Sequence, residues 1–171
     1  QLFDPQARLQ ALLHLGRNLA AVPCAVVHPC DAESMRGAME AAQLGLIEPW
    51  LIGPEARLRA MAEAEGIDLH GANILGVEHS HAAADTAAQM AADRKVSALM
   101  KGSLHTDELI HAVLAQPRLR TGRRMSHVFR FDVPAYAKPL LLTDAALNIA
   151  PSLTDKVDIV QNTIDFAHVM G

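Results

Sequence analysis

The chain has 171 residues, with 15 Lys plus Arg against 19 Asp plus Glu and a formal charge of −4; a duplex nucleic-acid binder would carry a basic face, so no nucleic-acid partner is expected. Half of the residues are hydrophobic and a fifth are charged, which excludes a largely disordered chain and lets a fold of this length bury roughly 70% of its extended surface without staples. No apolar run reaches the roughly 18 residues of a spanning helix, the first residues carry no secretory leader pattern, and two cysteines give no disulfide framework, so no membrane association and a cytoplasmic location are expected.

Ala-rich amphipathic stretches alternate with short Val, Ile and Leu runs. A first helix is expected from Asp4-Pro5, an N-cap and first helical residue, to about Leu19, with Leu9, Leu12 and Leu19 on one stripe. Cys24 to His28 (CAVVH) is a continuous apolar run, as in a strand covered on both faces. Ala32 to Leu44 reads as a helix, with Gly45 where a C-terminal cap would sit. A strand follows over Pro49–Gly53, then a helix from Pro54 to near Gly66, and a weak strand over Asn73–Val77. His81–Lys95 is a helix of mostly Ala, and Val96–Met100 (VSALM) is a strand. Thr106 suits the cap of a helix to about Ala115. The Arg-rich stretch Gln116–Arg124 reads as a mobile loop.

Met125 to Val133 alternates, with Met125, His127, Phe129, Phe131 and Val133 on one face and Ser126, Val128, Arg130 and Asp132 on the other. Pro139–Thr143 is a further strand, too close in the chain for a parallel crossover, so the two should pair antiparallel. A closing helix over Thr154–Met170 puts Val157, Val160, Ile164 and Ala167 in register. The alternation predicts an α/β fold: three layers, α/β/α, with a mostly parallel sheet and one antiparallel strand pair.

Ligands in open α/β sheets sit beyond the carboxyl ends of the strands. After the VSALM strand come Lys101, Gly102, Ser103, Leu104, His105 and Thr106 at a helix start. Lys101 there suits a phosphate or acyl phosphate, since helix N-termini favour anions, and His105 could donate to the same group. Asp107 and Glu108 in the first turn would repel it, and a solvated lysine is the plainer alternative. Neither GxxxxGK[ST] nor GxGxxG occurs. Arg118, Arg120, Arg123, Arg124 and Arg130 suit a polyanion such as a nucleotide or coenzyme A, or else pair with nearby carboxylates. Ser126 and His127, neighbours on a strand, point apart and cannot form a dyad. His79 and His81 lack a third metal ligand, so no metal is expected. Cys30 follows a strand with His28 two residues away, but an inert thiol is favoured. Met35, Met39 and Met90 read as core. Asp144 ends a strand, as an acceptor or a turn cap, with Asn148 in the loop beyond.

The segments AVVHPCD, LIGPEARL, LMKGSLHTDEL, RTGRRMSHVFRFDVP and LLLTDAALNIAP, followed by DKVDIVQNTIDFA, together resemble the phosphate acetyltransferase and phosphate butyryltransferase family, from about Pro23 to Gly171. With SHAAA before the Lys101 strand, the likeness is closest to the acyltransferase portion of bifunctional proteins that also carry an enoyl-CoA hydratase-like domain. The resemblance implies the two-lobed fold of the isocitrate and isopropylmalate dehydrogenases. Residues 1–171 would be one domain of that pattern, holding its first lobe and the start of its second. It also implies a homodimer, no cofactor beyond coenzyme A as substrate, and reversible conversion of acyl-CoA and phosphate into acyl phosphate and CoA by direct thiol attack. The family's Ser, Arg and Asp catalytic set has no counterpart here, so no catalytic residue is assigned. Lys101, His105, Thr106, Arg120, Arg123, Ser126, Asp144 and Asn148 are the expected substrate-binding residues. The alternative is a non-catalytic lobe that binds CoA or acyl phosphate, and this chain alone is expected to turn over weakly or not at all.

Overall fold

A computed structural model describes residues 4–171, which divide into two compact units: Leu15–Arg120, and the N-terminal residues to His14 together with Thr121–Gly171. Helix α1 is Pro5–Gly16. It stops short of the expected Leu19, whose N–H turns back to the Gly16 carbonyl at 3.0 Å. Leu9 and Leu19 of the expected stripe are exposed.

The Leu15–Arg120 unit runs β1 (Val22–Val27), α2 (Ala32–Gln43), β2 (Ile47–Gly53), α3 (Glu55–Glu65), β3 (Asn73–Gly76), α4 (Ser80–Ala92), β4 (Ala98–Lys101) and α5 (Thr106–Leu114). Its four strands are all parallel, in the order β3-β2-β1-β4. Side chains of β1 and β2 alternate between two cores because successive residues on a strand face opposite ways. Val26 and Leu51 pack with Met35, Ala38, Met39, Leu58 and Ala62 of α2 and α3. Ala25, Val27 and Ile52 pack with the α4 alanines, Met90, Leu109 and Ala112. This is the three-layer arrangement. Each Leu or Ile wholly removed from water here stabilises by about 1.5–3 kcal/mol.

Helix ends follow local chemistry. Asp31 caps α2 by accepting from the Ser34 N–H at 2.9 Å. The chain leaves α2 through Gly45, whose φ of 71° is the left-handed conformation that glycine adopts freely. His79 caps α4 through Nδ1, which accepts from the Ala82 N–H, so α4 starts one residue before the expected His81. It ends at Ala92, ahead of the expected Lys95, where Arg94 takes φ 59° and reverses the chain.

The second unit holds β5 (Val128–Phe131), β6 (Leu140–Thr143) and α6 (Leu153–Met170). The strands pair antiparallel, as expected, with Phe129 opposite Leu142 and Phe131 opposite Leu140. They form a two-stranded sheet of their own. Strand β5 is shorter than the expected nine residues. Its aromatic face is the more open one, with Phe129 at 43% and Phe131 at 41% exposure. Helix α6 starts after Ser152, whose hydroxyl and backbone exchange bonds with Asp155 in a capping box. The expected apolar stripe of α6 is not its packed face: Val157, Val160 and Ile164 are exposed, while Ile159 is buried. The packed side carries Ile159 together with Asp158 and Asn162, which bond Arg124 and Ser126.

Candidate functional site

The order β3-β2-β1-β4 reverses direction between β1 and β4, with α2 and α3 against one face and α4 and α5 against the other. The carboxyl ends of strands at such a reversal are where open α/β sheets place ligands. Here two loops meet: His28–Asp31 after β1, and Lys101–His105 after β4. They are bonded directly. The Gly102 N–H donates to the Val27 carbonyl and the Ser103 N–H to the His28 carbonyl, each at 2.9 Å. A Cβ on Gly102 would lie 2.4 Å from the Val27 oxygen, so only glycine allows this approach.

His28 ends β1 one residue earlier than its apolar run suggests, because its φ of 54° turns the chain. Its ring is buried and its Nδ1 lies 3.1 Å from the Ser103 carbonyl. The Cys30 N–H donates to the Ser103 hydroxyl at 3.2 Å. Cys30 itself is 3% exposed, and burial pushes its thiol up from the ordinary range, which makes it a poor nucleophile. The Asp31 carboxyl is held below its ordinary range, first by the Ser34 hydroxyl and backbone N–H, with the Lys101 charge adding to the effect.

Lys101 is exposed, but its ammonium donates to two carbonyls of its own turn, Gly102 at 3.2 Å and Leu104 at 2.9 Å. An ammonium has three N–H donors, so one is left for a ligand. The cap of α5 is His105 and not the expected Thr106, because residue 105 carries the extended backbone and Thr106 is already helical; no side chain caps this helix start. His105 also lines a cleft of about 700 Å³ with His81, Asp85, Asp107, Glu108 and His111. Glu108, one of the two acids expected to repel an anion, lies 2.9 Å from His81 Nδ1. Among the described residues, no three His, Cys, Asp or Glu side chains converge as a metal site.

The Arg-rich stretch contains a short helical turn, Pro117–Leu119, and its arginines are anchored. Arg118 pairs with Asp93 at 3.2 Å, Arg123 with Asp165 at 2.5 Å and Arg130 with Asp132 at 2.5 Å. Arg120 donates to the Leu114 carbonyl and makes no ion pair among the described residues.

In the second unit a polar net joins the start of β5 to α6. Asn162 donates to the Arg124 carbonyl at 2.9 Å and to the Ser126 hydroxyl at 2.8 Å. Asn148 accepts from Arg124 Nε at 2.7 Å and donates to the Met125 carbonyl at 3.0 Å. Asp158 accepts from the Arg124 N–H. Ser126 and Asn148 are therefore brought together here through Arg124, Met125 and Asn162, whereas Arg123 is bonded to Asp165. Asp144 leaves β6 with φ 54°, and its N–H donates to the His127 carbonyl at 2.7 Å. Both of its carboxylate oxygens are covered and have no hydrogen-bond partner among the described residues.

Sequence reasoning missed the His28–Ser103 clasp and the role of Asn162. A histidine before Pro29 gives no signal of left-handed backbone. Asn162 stands out only as a polar residue three positions after Ile159, the buried residue of the same helix.

The family model "Phosphate acetyl/butaryl transferase" matches residues 81–171. A phosphate acetyltransferase of Rickettsia felis is 51% identical over 170 residues, 98% of this chain and 49% of that protein. A phosphate butyryltransferase of Clostridium acetobutylicum is 31% identical, over 82% of this chain and 47% of that protein. The chain spans about half the length of the curated relatives it matches. The fold is that of a phosphotransacetylase from Streptococcus pyogenes, with a TM-score of 0.80 at 15% identity over 98% of this chain and 60% of that one. With more than half of its residues matched by the family model and its fold shared, the chain belongs to the phosphate acetyl/butaryl transferase family.

Proposed function

We propose that the chain binds and positions the substrates of a phosphate acyltransferase, which moves an acetyl or butyryl group between coenzyme A and inorganic phosphate. The observation that carries this reading is the turn after β4: a lysine with one N–H left over, beside a helix start that no side chain caps. Both features favour an anion. In the reaction, the CoA thiol attacks the acyl phosphate carbonyl. The S–C bond forms, the C–O bond to phosphate breaks, and a base takes the thiol proton. Lys101, His105 and Thr106 take the phosphoryl oxygens in this reading, and Arg120 and Arg123 the phosphates of CoA. Ser126 and Asn148 hold the entry to β5, and Asp144 accepts from an incoming donor, since a carboxylate only accepts. CoA is a substrate and not a resident cofactor, and the enzyme works as a cytoplasmic homodimer.

A second reading, a lobe that binds CoA and acyl phosphate without chemistry, draws support from Ser126, whose hydroxyl already accepts from Asn162. Calorimetric titration with acetyl phosphate, butyryl phosphate and CoA, together with an assay for thioester formation, separates the two. Binding with thioester formation supports the transferase, and binding without it supports the lobe. Binding of none of the three overturns both. Lys101→Ala is expected to weaken acyl phosphate binding roughly tenfold or more, the loss of one charge-assisted bond.

A further inference from the structure

We propose that His28 is a positioning residue for the Lys101 turn, setting the affinity for the anionic group; the inference rests on the assignment of that group to Lys101. Three consecutive carbonyls in the turn are held by two side chains. Those of Gly102 and Leu104 accept from the Lys101 ammonium. The middle one, of Ser103, faces His28 Nδ1 at 3.1 Å. A carbonyl only accepts, so the bond forms in the tautomer that carries its proton on Nδ1.

The bonding also runs in the other direction. The Ser103 N–H and hydroxyl both donate to the His28 carbonyl at 2.9 Å, and the Cys30 N–H does so at 2.8 Å. His28 is 7% exposed, the one polar residue in the buried set of the described residues. It also sits at φ 54° without being glycine. A buried ring and a left-handed backbone both cost free energy. A strand end needs neither, but a turn whose peptide planes must aim a lysine does. The ring bonds the peptide plane that lies between the two carbonyls Lys101 uses, so removing the ring frees that plane and, with it, the direction of the third ammonium N–H.

The test is calorimetric titration of the whole chain with inorganic phosphate, with CoA as the control ligand. His28→Gly removes the ring and accepts φ 54° without strain. His28→Asn tolerates the same backbone and offers an amide donor near the place of Nδ1. The Gly variant is expected to lose about three- to tenfold in phosphate affinity and to keep its CoA affinity. The Asn variant is expected to stay within about twofold of the parent. Combined with Lys101→Ala, His28→Gly should add little further loss, because the two act through one contact.

A merely structural role would lower the thermal midpoint and leave phosphate affinity unchanged. That result, or fully additive losses, overturns the proposal while leaving Lys101 in place. A Lys101→Ala variant that binds phosphate like the parent, or a parent that binds none, removes the assignment and the inference together. A measurement on the unaltered chain covers a Gly variant that fails to fold: amide exchange at Ser103 should slow when phosphate binds, and no change overturns the proposal.

Discussion

The two units fix their loops by different means. In Leu15–Arg120, buried apolar residues from Cys24 to Ala112 fill both sides of a four-stranded sheet. In the other unit, Ile159 is the one buried hydrophobic residue among those described, and order comes from bonds among Arg124, Ser126, Asn148, Asp158 and Asn162. An apolar core holds few charges for salt to screen or for moderate pH to titrate. A partly exposed polar net responds to both, because its charges are screened and its carboxylates titrate. Residues proposed for substrate are present in both settings, so perturbations should act on them differently.

The largest effect is expected from Leu51→Ala, which empties a fully buried site between β2 and the α2–α3 layer. It should cost about 2–5 kcal/mol in urea denaturation. Ile159→Ala should fall at or below the low end of that range, because a thinly packed site collapses around the gap. Equal losses at the two positions would show that the second unit has a core as firm as the first.

Next is Gly102→Ala. Its Cβ would meet backbone oxygens of Val27 and His28 at 2.4 and 2.6 Å. No side-chain rotation relieves an overlap with backbone, so a loss of about 1–3 kcal/mol or more is expected. Gly37→Ala in α2, with open space around the added carbon, should instead stabilise by about 0.5–1 kcal/mol. Thermal melts of the pair check both signs.

Asn162→Ala removes two bonds to the β5 entry and should cost about 1–2 kcal/mol. Hydrogen exchange should report the damage at Arg124–Ser126 and leave β1 protected. Exchange rising equally in β1 would mean that the two units unfold as one.

The smallest effects lie at the start and middle of α6. Ser152→Ala loses the capping box and should cost about 1 kcal/mol. Acid should act on the same helix. The Ser152 bonds hold the Asp155 carboxyl below its ordinary range, and the Arg123 bond does the same for Asp165. A carboxyl lowered in the folded state stabilises fully above its unfolded value, near 3.9. That contribution disappears as pH falls through the lowered folded value. Circular dichroism below about pH 4 should therefore show α6 loosening before the parallel sheet, and added salt should weaken the exposed Arg123–Asp165 pair.

Where the chain was legible, one signal dominated. The CAVVH run, the alanine face of α4 and Gly45 each specify local structure through burial or backbone freedom, and the structure agrees on β1, α4 and the turn after α2. Strand pairing of β5 with β6 followed from chain length between them. The α6 stripe misled because periodicity marks which residues share a face, not what covers that face; here the packed side holds Ile159, with Asn162 donating to the Arg124 carbonyl and Asp158 accepting from the Arg124 N–H. The Lys101 turn was legible as a strand followed by a helix start. Its clasp was not, because His28 and Ser103 are 75 positions apart and neither residue type announces a left-handed bend. The arginine stretch left two readings open in sequence, and four ion pairs, Arg118–Asp93, Arg123–Asp165, Arg124–Asp155 and Arg130–Asp132, account for most of it.

The two free cysteines make the sheet its own reporter. Cys24 lies within β1 and Cys30 just beyond it, at 2% and 3% exposure, and burial raises both thiols from their ordinary range. The thiolate is the form that reacts with alkylating reagents, so labelling has to wait for an opening event. Cys24 is covered by β2 and β4 on either side, and its labelling should report global unfolding. Cys30 is tied by its N–H to Ser103, and its labelling should report release of that one clasp. The ratio of the two labelling rates is thus a clock for how often the strand end opens while the sheet stays closed, readable by mass without any change to the sequence.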